Sequence, residues 1–370
     1  MTQIHWSKQI NGAFTNAADW TGGAAPGTAD DAILDAAGTT AYTVTTSASE
    51  TVSSIQTAAT ATLAITGGEF TAANGTGAGG NAGSITLADG ADFAIGGAFA
   101  NTGKIALGSL GDATTLAIAA TTTLSGAGKV TLSDIPSNQI VGGSSATTLT
   151  NAGNLISGAG TIGSATLTLV NQAAGIIEAT GTNALIINTG ANAVTNAGYL
   201  ETKGAGGLTV QSAVTNTGKL YGIGPGALAI QSAVVTNTGG VVEVLAGGHV
   251  SLQGGSITGG SVVVSAGGLL SVDAGGATFA SGLSSTALSN AGSITINDDQ
   301  ALTLQGTIAN SGVITLDTLG DQTSLIVGSS GLVLNGAGKV VLTDNPANQI
   351  AGGASASTLT NAGNLISGAG

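Results

Sequence analysis

The chain has 370 residues, 42% apolar but only 3% aromatic and 7% charged, with 63 glycines and a formal net charge of −13. Compact mixed folds carry about a quarter charged residues, so this composition argues against one, and its wealth of β-branched residues argues against disorder. Six scattered lysines (Lys8, Lys104, Lys129, Lys203, Lys219, Lys339) without any arginine do not make a nucleic-acid or anionic-membrane surface, and the absence of cysteine removes disulfides and thiolate metal sites.

In chain order, Met1 to Ile10 lacks the basic-then-apolar layout of a signal peptide. No later stretch approaches the roughly 18 apolar residues of a membrane-spanning helix. The few aromatic residues cannot supply the girdles of a transmembrane barrel. Any export signal is therefore expected outside this chain. Residues 1–70 hold Trp6, Phe14, Trp20, Tyr42 and Phe70 and read as an N-terminal cap with the first strands. The acidic pair Asp30-Asp31 lies within it. The run Thr43-Val-Thr45-Thr46 sets hydroxyls on one strand face, as does Thr166-Leu-Thr168 later, and a flat ladder of such rows would suit ice or a polysaccharide surface. The threonines keep no common register along the chain, which favours ordinary strand propensity.

Residues 71–370 are governed by a repeat. Asn-x-Gly recurs at Asn81, Asn101, Asn151, Asn196, Asn216, Asn237, Asn290, Asn310 and Asn361. A large apolar residue stands two places before the Asn in all but the first, and others follow the Gly in alternation, as in Ile85 and Leu87 or Ile294 and Ile296. Alternation marks strands with one buried face, and the spacing of about 20 residues is that of one solenoid coil. The triplet reads as a corner: Asn and Gly tolerate left-handed backbone angles, and stacked Asn amides can bond one another above and below. The expectation is an all-β, right-handed parallel β-helix.

A longer duplication lies over the short repeat, with 81–160 matching 290–370. Lys129 to Ile140 is echoed in Lys339 to Ile350, and both copies end Thr-Leu-Thr-Asn-Ala-Gly-Asn-Leu-Ile-Ser-Gly-Ala-Gly. Growth by blocks requires that each coil touch only its neighbours. The motif runs past its first copy at Gly160 but stops at Gly370, which suggests truncation and an open end capable of self-association.

The stretch Asn16-Ala-Ala-Asp-Trp20-Thr-Gly22-Gly23-Ala-Ala-Pro26-Gly-Thr-Ala-Asp30-Asp31-Ala-Ile33 resembles the opening of bacterial autotransporter or adhesin-type passengers, and the coils after it resemble their pectin-lyase-like β-helix. The resemblance implies a secreted or surface-displayed stalk with carbohydrate or cell-surface partners. The same fold also houses pectate lyases and polygalacturonases, and a self-assembling surface-layer or matrix protein is a further alternative. Carbohydrate lyases and hydrolases need clustered carboxylates with a basic residue, whereas Asp30-Asp31 and Asp298-Asp299 have no His or Lys close by in sequence.

The histidines, His5 and His249, lack any zinc-ligand spacing. Calcium suits the acidic corners, but no calcium-roll nonapeptide or EF-hand loop is present. Gly75 to Gly80 and Gly158 to Gly163 fit Gly-x-Gly-x-x-Gly; a strand follows the latter where a helix would be needed. Gly126-Ala-Gly128-Lys129 and Gly336-Ala-Gly338-Lys339 lack the remaining P-loop residues and read as turns. No catalytic, cofactor or metal residue is assigned, and a non-enzymatic role is expected.

Overall fold

The computed structural model describes residues 2–73, 79–280 and 287–370. Among them the chain forms 43 strands and two short 3-10 turns, with no α-helix. The strands wind as a parallel β-solenoid of about 14 turns with about 23 residues per coil. Two compact units divide the chain, Met1–Val194 and Thr195–Gly370.

Alternation builds the core of each unit. In the first, Leu63, Ile85, Ile105, Val130, Ile156 and Ile177 stand in direct register on successive strands, all fully buried. In the second, Leu200, Leu220, Val242, Val262, Leu288 and Ile308 make the same kind of column. Burying a Leu, Val or Ile side chain contributes roughly 1.5–3 kcal/mol, so these columns are the main term holding coil to coil. The intervening residues face outward, and there any chemistry must lie.

The N-terminal segment is itself wound into the solenoid. Thr2–His5 pairs in register with Asp30–Ile33. Inside these coils an aromatic chain runs Trp6, Trp20, Phe14, Phe70, Phe93, Phe99, with neighbouring ring centroids 5.0–6.2 Å apart. Trp20 Nε1 donates to the Phe14 carbonyl at 2.6 Å and Trp6 Nε1 to that of Ile10 at 3.2 Å, so the indole polar ends are not stranded in the core.

The asparagines form ladders. Asn81 donates to Asn101 at 2.8 Å; Asn196 donates to Asn216 and Asn216 to Asn237, both at 2.7 Å; Asn290 donates to Asn310 at 2.7 Å. Each bonded pair lies 20 or 21 residues apart, the coil length expected from the triplets. Longer coils elsewhere raise the mean to about 23.

The glycine of the triplet has two different causes: Gly239 takes a left-handed φ of 82° with open space around it, as its backbone freedom suggests, whereas two others are set by contact. Gly103 and Gly312 do not adopt left-handed angles; a Cβ on either would sit 2.1 Å from the carbonyl oxygen of the glycine one coil below, Gly83 or Gly292. Close stacking of corners excludes the side chain, and handedness plays no part there.

Within the second unit the corners do not form one stack. Val264 lies in register with Asn290, and Ala291 N–H donates to the Val264 carbonyl, whereas Asn237 Nδ2 bonds the carbonyls of Gly259 and Ser261. The ladder Asn196–Asn216–Asn237 therefore ends, and the ladder starting at Asn290 runs along a different corner.

Candidate functional site

The residues singled out from sequence fall mostly into structural roles. Asp30 and Asp31 diverge: Asp30 accepts from Gly27 N–H at 3.0 Å, and the buried Asp31 accepts from Ser54 Oγ at 2.7 Å. Asp298 Oδ1 gathers the N–H groups of Leu319, Gly320 and Asp321, one coil on, at 2.8–3.1 Å, and these bonds hold its carboxyl below the usual range. Its neighbour Asp299 has a left-handed φ of 60°. Exposed His5 meets Asp35 at 3.0 Å.

Gly158, Gly160 and Gly163 all have φ near 130° in tight strand corners, and the strand Leu167–Asn171 follows. Gly126 and Gly336 are left-handed corner residues. Of the motif Gly75 to Gly80, residues 75–78 lie outside the described residues, while Gly79 and Gly80 belong to a strand. Thr45 pairs with Ala64, while Thr43 pairs with Thr62, which pairs with Ser84; the longer threonine row is Thr215, Thr236 and Thr258, three coils deep.

Solenoid register gathers other residues on the outer face of three strands, Tyr199–Thr202, Lys219–Gly222 and Val241–Val244. Because Leu200, Leu220 and Val242 point inward, their neighbours point out. Tyr199 aligns with Lys219, and Glu201 aligns with Tyr221 and then Glu243. The rings of Tyr199 and Tyr221 lie 5.8 Å apart at 33°. Lys219 Nζ donates to the Tyr221 hydroxyl, lies 4.9 Å from that ring's centroid and 3.8 Å from Glu243 Oε2. The bond to Tyr221 raises the Lys219 pKa, with Glu243 adding to the effect. Lys203 Nζ pairs with Glu201 Oε1 at 2.9 Å, and the Glu201 side chain is only 10% exposed. Lys203 and Lys219 thus each sit beside a carboxylate. Three neighbouring coils concentrate two of the chain's three tyrosines and two of its six lysines.

A second outward cluster lies on the strands His249–Gln253, Leu269–Ala274 and Ser293–Asn297. Ser251 and Ser271 both donate to Asp273 Oδ2, Asn297 donates to its Oδ1 at 2.6 Å, and His249 Nε2 meets Ser271 Oγ at 2.7 Å. With the Ser271 hydroxyl proton committed to Asp273, His249 Nε2 is the donor of its pair. Burial lowers the His249 pKa and Asp273 partly opposes this. The order is imidazole, hydroxyl, carboxylate, whereas a Ser-His-Asp triad places the imidazole between the other two. Ser271 is buried as well. This arrangement continues the polar ladder of Gln211, Gln231 and Gln253 and lacks the order of a triad.

Among the described residues no group of three or more His, Asp or Glu side chains converges as metal ligands would. Among the same residues no helix is long and apolar enough to cross a membrane. The chain matches no protein-family model and no curated protein.

The signal for the tyrosine-lysine-glutamate patch was present in the sequence as Tyr199-Leu-Glu201 and Lys219-Leu-Tyr221, each immediately after an Asn-x-Gly corner. Aligning the triplets sets these segments side by side.

Proposed function

We propose that this chain is a non-catalytic β-solenoid stalk of a secreted or surface-displayed bacterial protein, and that its outer face makes adhesive contacts with a cell or matrix surface. The observation that carries this reading is the patch of Tyr199, Glu201, Lys203, Lys219, Tyr221 and Glu243 gathered on successive coils of the outer face. Aromatic faces beside paired charges stack on sugar rings and hydrogen-bond hydroxyls, and weak contacts repeated along a stalk gain strength through avidity. The resemblance of residues 16–33 to passenger regions supports the same reading.

Binding of the chain to immobilised polysaccharides and to whole cells tests it. The Tyr199→Ala/Tyr221→Ala double variant should lose binding while keeping its β-rich circular dichroism. Equal binding by both proteins, or none by either, would remove the patch from consideration. Incubation with polyuronides should release neither unsaturated nor reducing ends, and their appearance would mean an enzyme.

A further inference from the structure

We infer that Asn335 is a site of spontaneous deamidation, an age-dependent modification confined to the second copy of the duplicated block. The chain contains three Asn-Gly sequences, at Asn11, Asn74 and Asn335, and Asn74-Gly75 lies outside the described residues. In such pairs no side chain shields the nitrogen that follows the asparagine.

The two described sites differ in the groups that hold them. Asn335 ends the strand Thr323–Asn335 with its side chain exposed. The Gly336 N–H lies beyond that strand and donates to Asn335 Oδ1 at 2.8 Å, which sets the backbone nitrogen against the side-chain carboxamide. Gly336 has a φ of +104°, and a Cβ there would lie 2.3 Å from the Asn310 carbonyl oxygen, so the corner requires glycine. At the other site, Asn11 Oδ1 is held by the Thr43 N–H at 2.8 Å. Gly12 is locked in strand register with Val44 and packed against the Trp6 ring. In the first copy of the block Ser125 occupies the place of Asn335: Ala100 pairs with Ser125 as Ala309 pairs with Asn335.

The reaction needs only water and hydroxide. Hydroxide removes the Gly336 amide proton, and the nitrogen attacks Asn335 Cγ. The bond from Cγ to the carboxamide nitrogen breaks, and ammonia leaves with protons returned by water. The resulting succinimide adds one water at either carbonyl, giving aspartate or isoaspartate. Isoaspartate inserts an extra methylene into the main chain at a residue paired with both Ala309 and Ala362. The corner above Asn310 would loosen as the protein ages.

The test is to age the intact chain in mildly alkaline buffer below its melting temperature and to map peptides by mass spectrometry with fragmentation that distinguishes aspartate from isoaspartate. Asn335 should convert about tenfold faster than Asn11 or more, a barrier difference of about 1.4 kcal/mol. Its rate should rise with hydroxide concentration. The Asn335→Ser variant, which copies the first block, should fold normally and show no mass change at that position. Persistence of the Asn335 amide while Asn11 converts, or conversion of both only after denaturation and at equal rates, would overturn the inference.

Discussion

The two copies of the duplicated block carry closely matching residues over 125–160 and 335–370, in different surroundings. Both fill the same gap in the same way. The coil above Asn101 has Gly126 where an asparagine would continue the ladder, and Asn101 donates instead to Asn154 at 2.8 Å, across 53 residues. In the second copy Gly336 leaves the gap and Asn310 donates to Asn364 at 2.7 Å. Both also clamp a turn: Asp89 gathers the N–H groups of Leu110, Gly111 and Asp112 as Asp298 does those of Leu319, Gly320 and Asp321. The clamped leucines are 82% and 81% exposed.

The copies differ in how deeply equivalent residues are buried. Ile156 and Asn151 are fully buried, whereas Ile366 is only partly covered and Asn361 is exposed. Asp134 accepts from the N–H groups of Thr182 and Asn183 at 2.9 and 2.8 Å and from the Thr182 hydroxyl; these bonds pull its pKa from 3.8 to about 2. Its counterpart Asp344 is exposed.

Paired substitutions in the two copies would sharpen or break this contrast. The largest effect is expected in the core: Ile156→Ala should cost about 2–5 kcal/mol in denaturant unfolding, and Ile366→Ala clearly less because its site is already partly open. Equal losses would mean that burial is not what separates the copies. Next, Asn154→Ala should cost about 2 kcal/mol, since it removes one of the two acceptors of Asn101 Nδ2 and opens the bonds that Asn154 makes to the carbonyls of Leu124, Ser125 and Gly126. Asn364→Ala should cost less, because Asn364 Nδ2 is buried without a partner and its removal relieves part of the loss. In hydrogen exchange, Asp89→Ala should release the amides of Leu110 to Asp112, and Asp298→Ala those of Leu319 to Asp321, to a similar degree; release in one copy only would show that the clamps are not equivalent.

The smallest effect concerns pH. A carboxyl with a depressed folded-state pKa contributes stability that is present above its unfolded value and lost as pH falls through its folded one. For Asp134 the window runs from about 3.8 down to about 2, and Asp134→Asn should flatten the stability profile there; a profile identical to the parent's would mean that these bonds do not bear on folding.

Much of this architecture was legible in the sequence because its physics is local. Alternating Ile, Leu and Val define strands, and Asn196, Asn216 and Asn237 fix the coil step by spacing alone. Asn154 was not legible as a ladder member, because its position follows from the gap at Gly126 a full coil earlier. The reason for Gly103 was hidden as well: a carbonyl oxygen from another coil forbids its side chain, and no neighbour in sequence reveals that. Lys219 and Glu243 escaped notice together because they meet only when one coil is laid over the next, and coil lengths vary along the chain.

The change of corner between Asn237 and Asn290 carries a lesson about how such proteins grow. Aliphatic residues line more than one side of the interior, so a pasted segment need not span a whole number of windings; it can be rotated by one side and still find a matching floor. A recombination breakpoint has only to meet at a bend, which makes gene duplication far more permissive here than in a closed barrel, where every strand has a fixed seat.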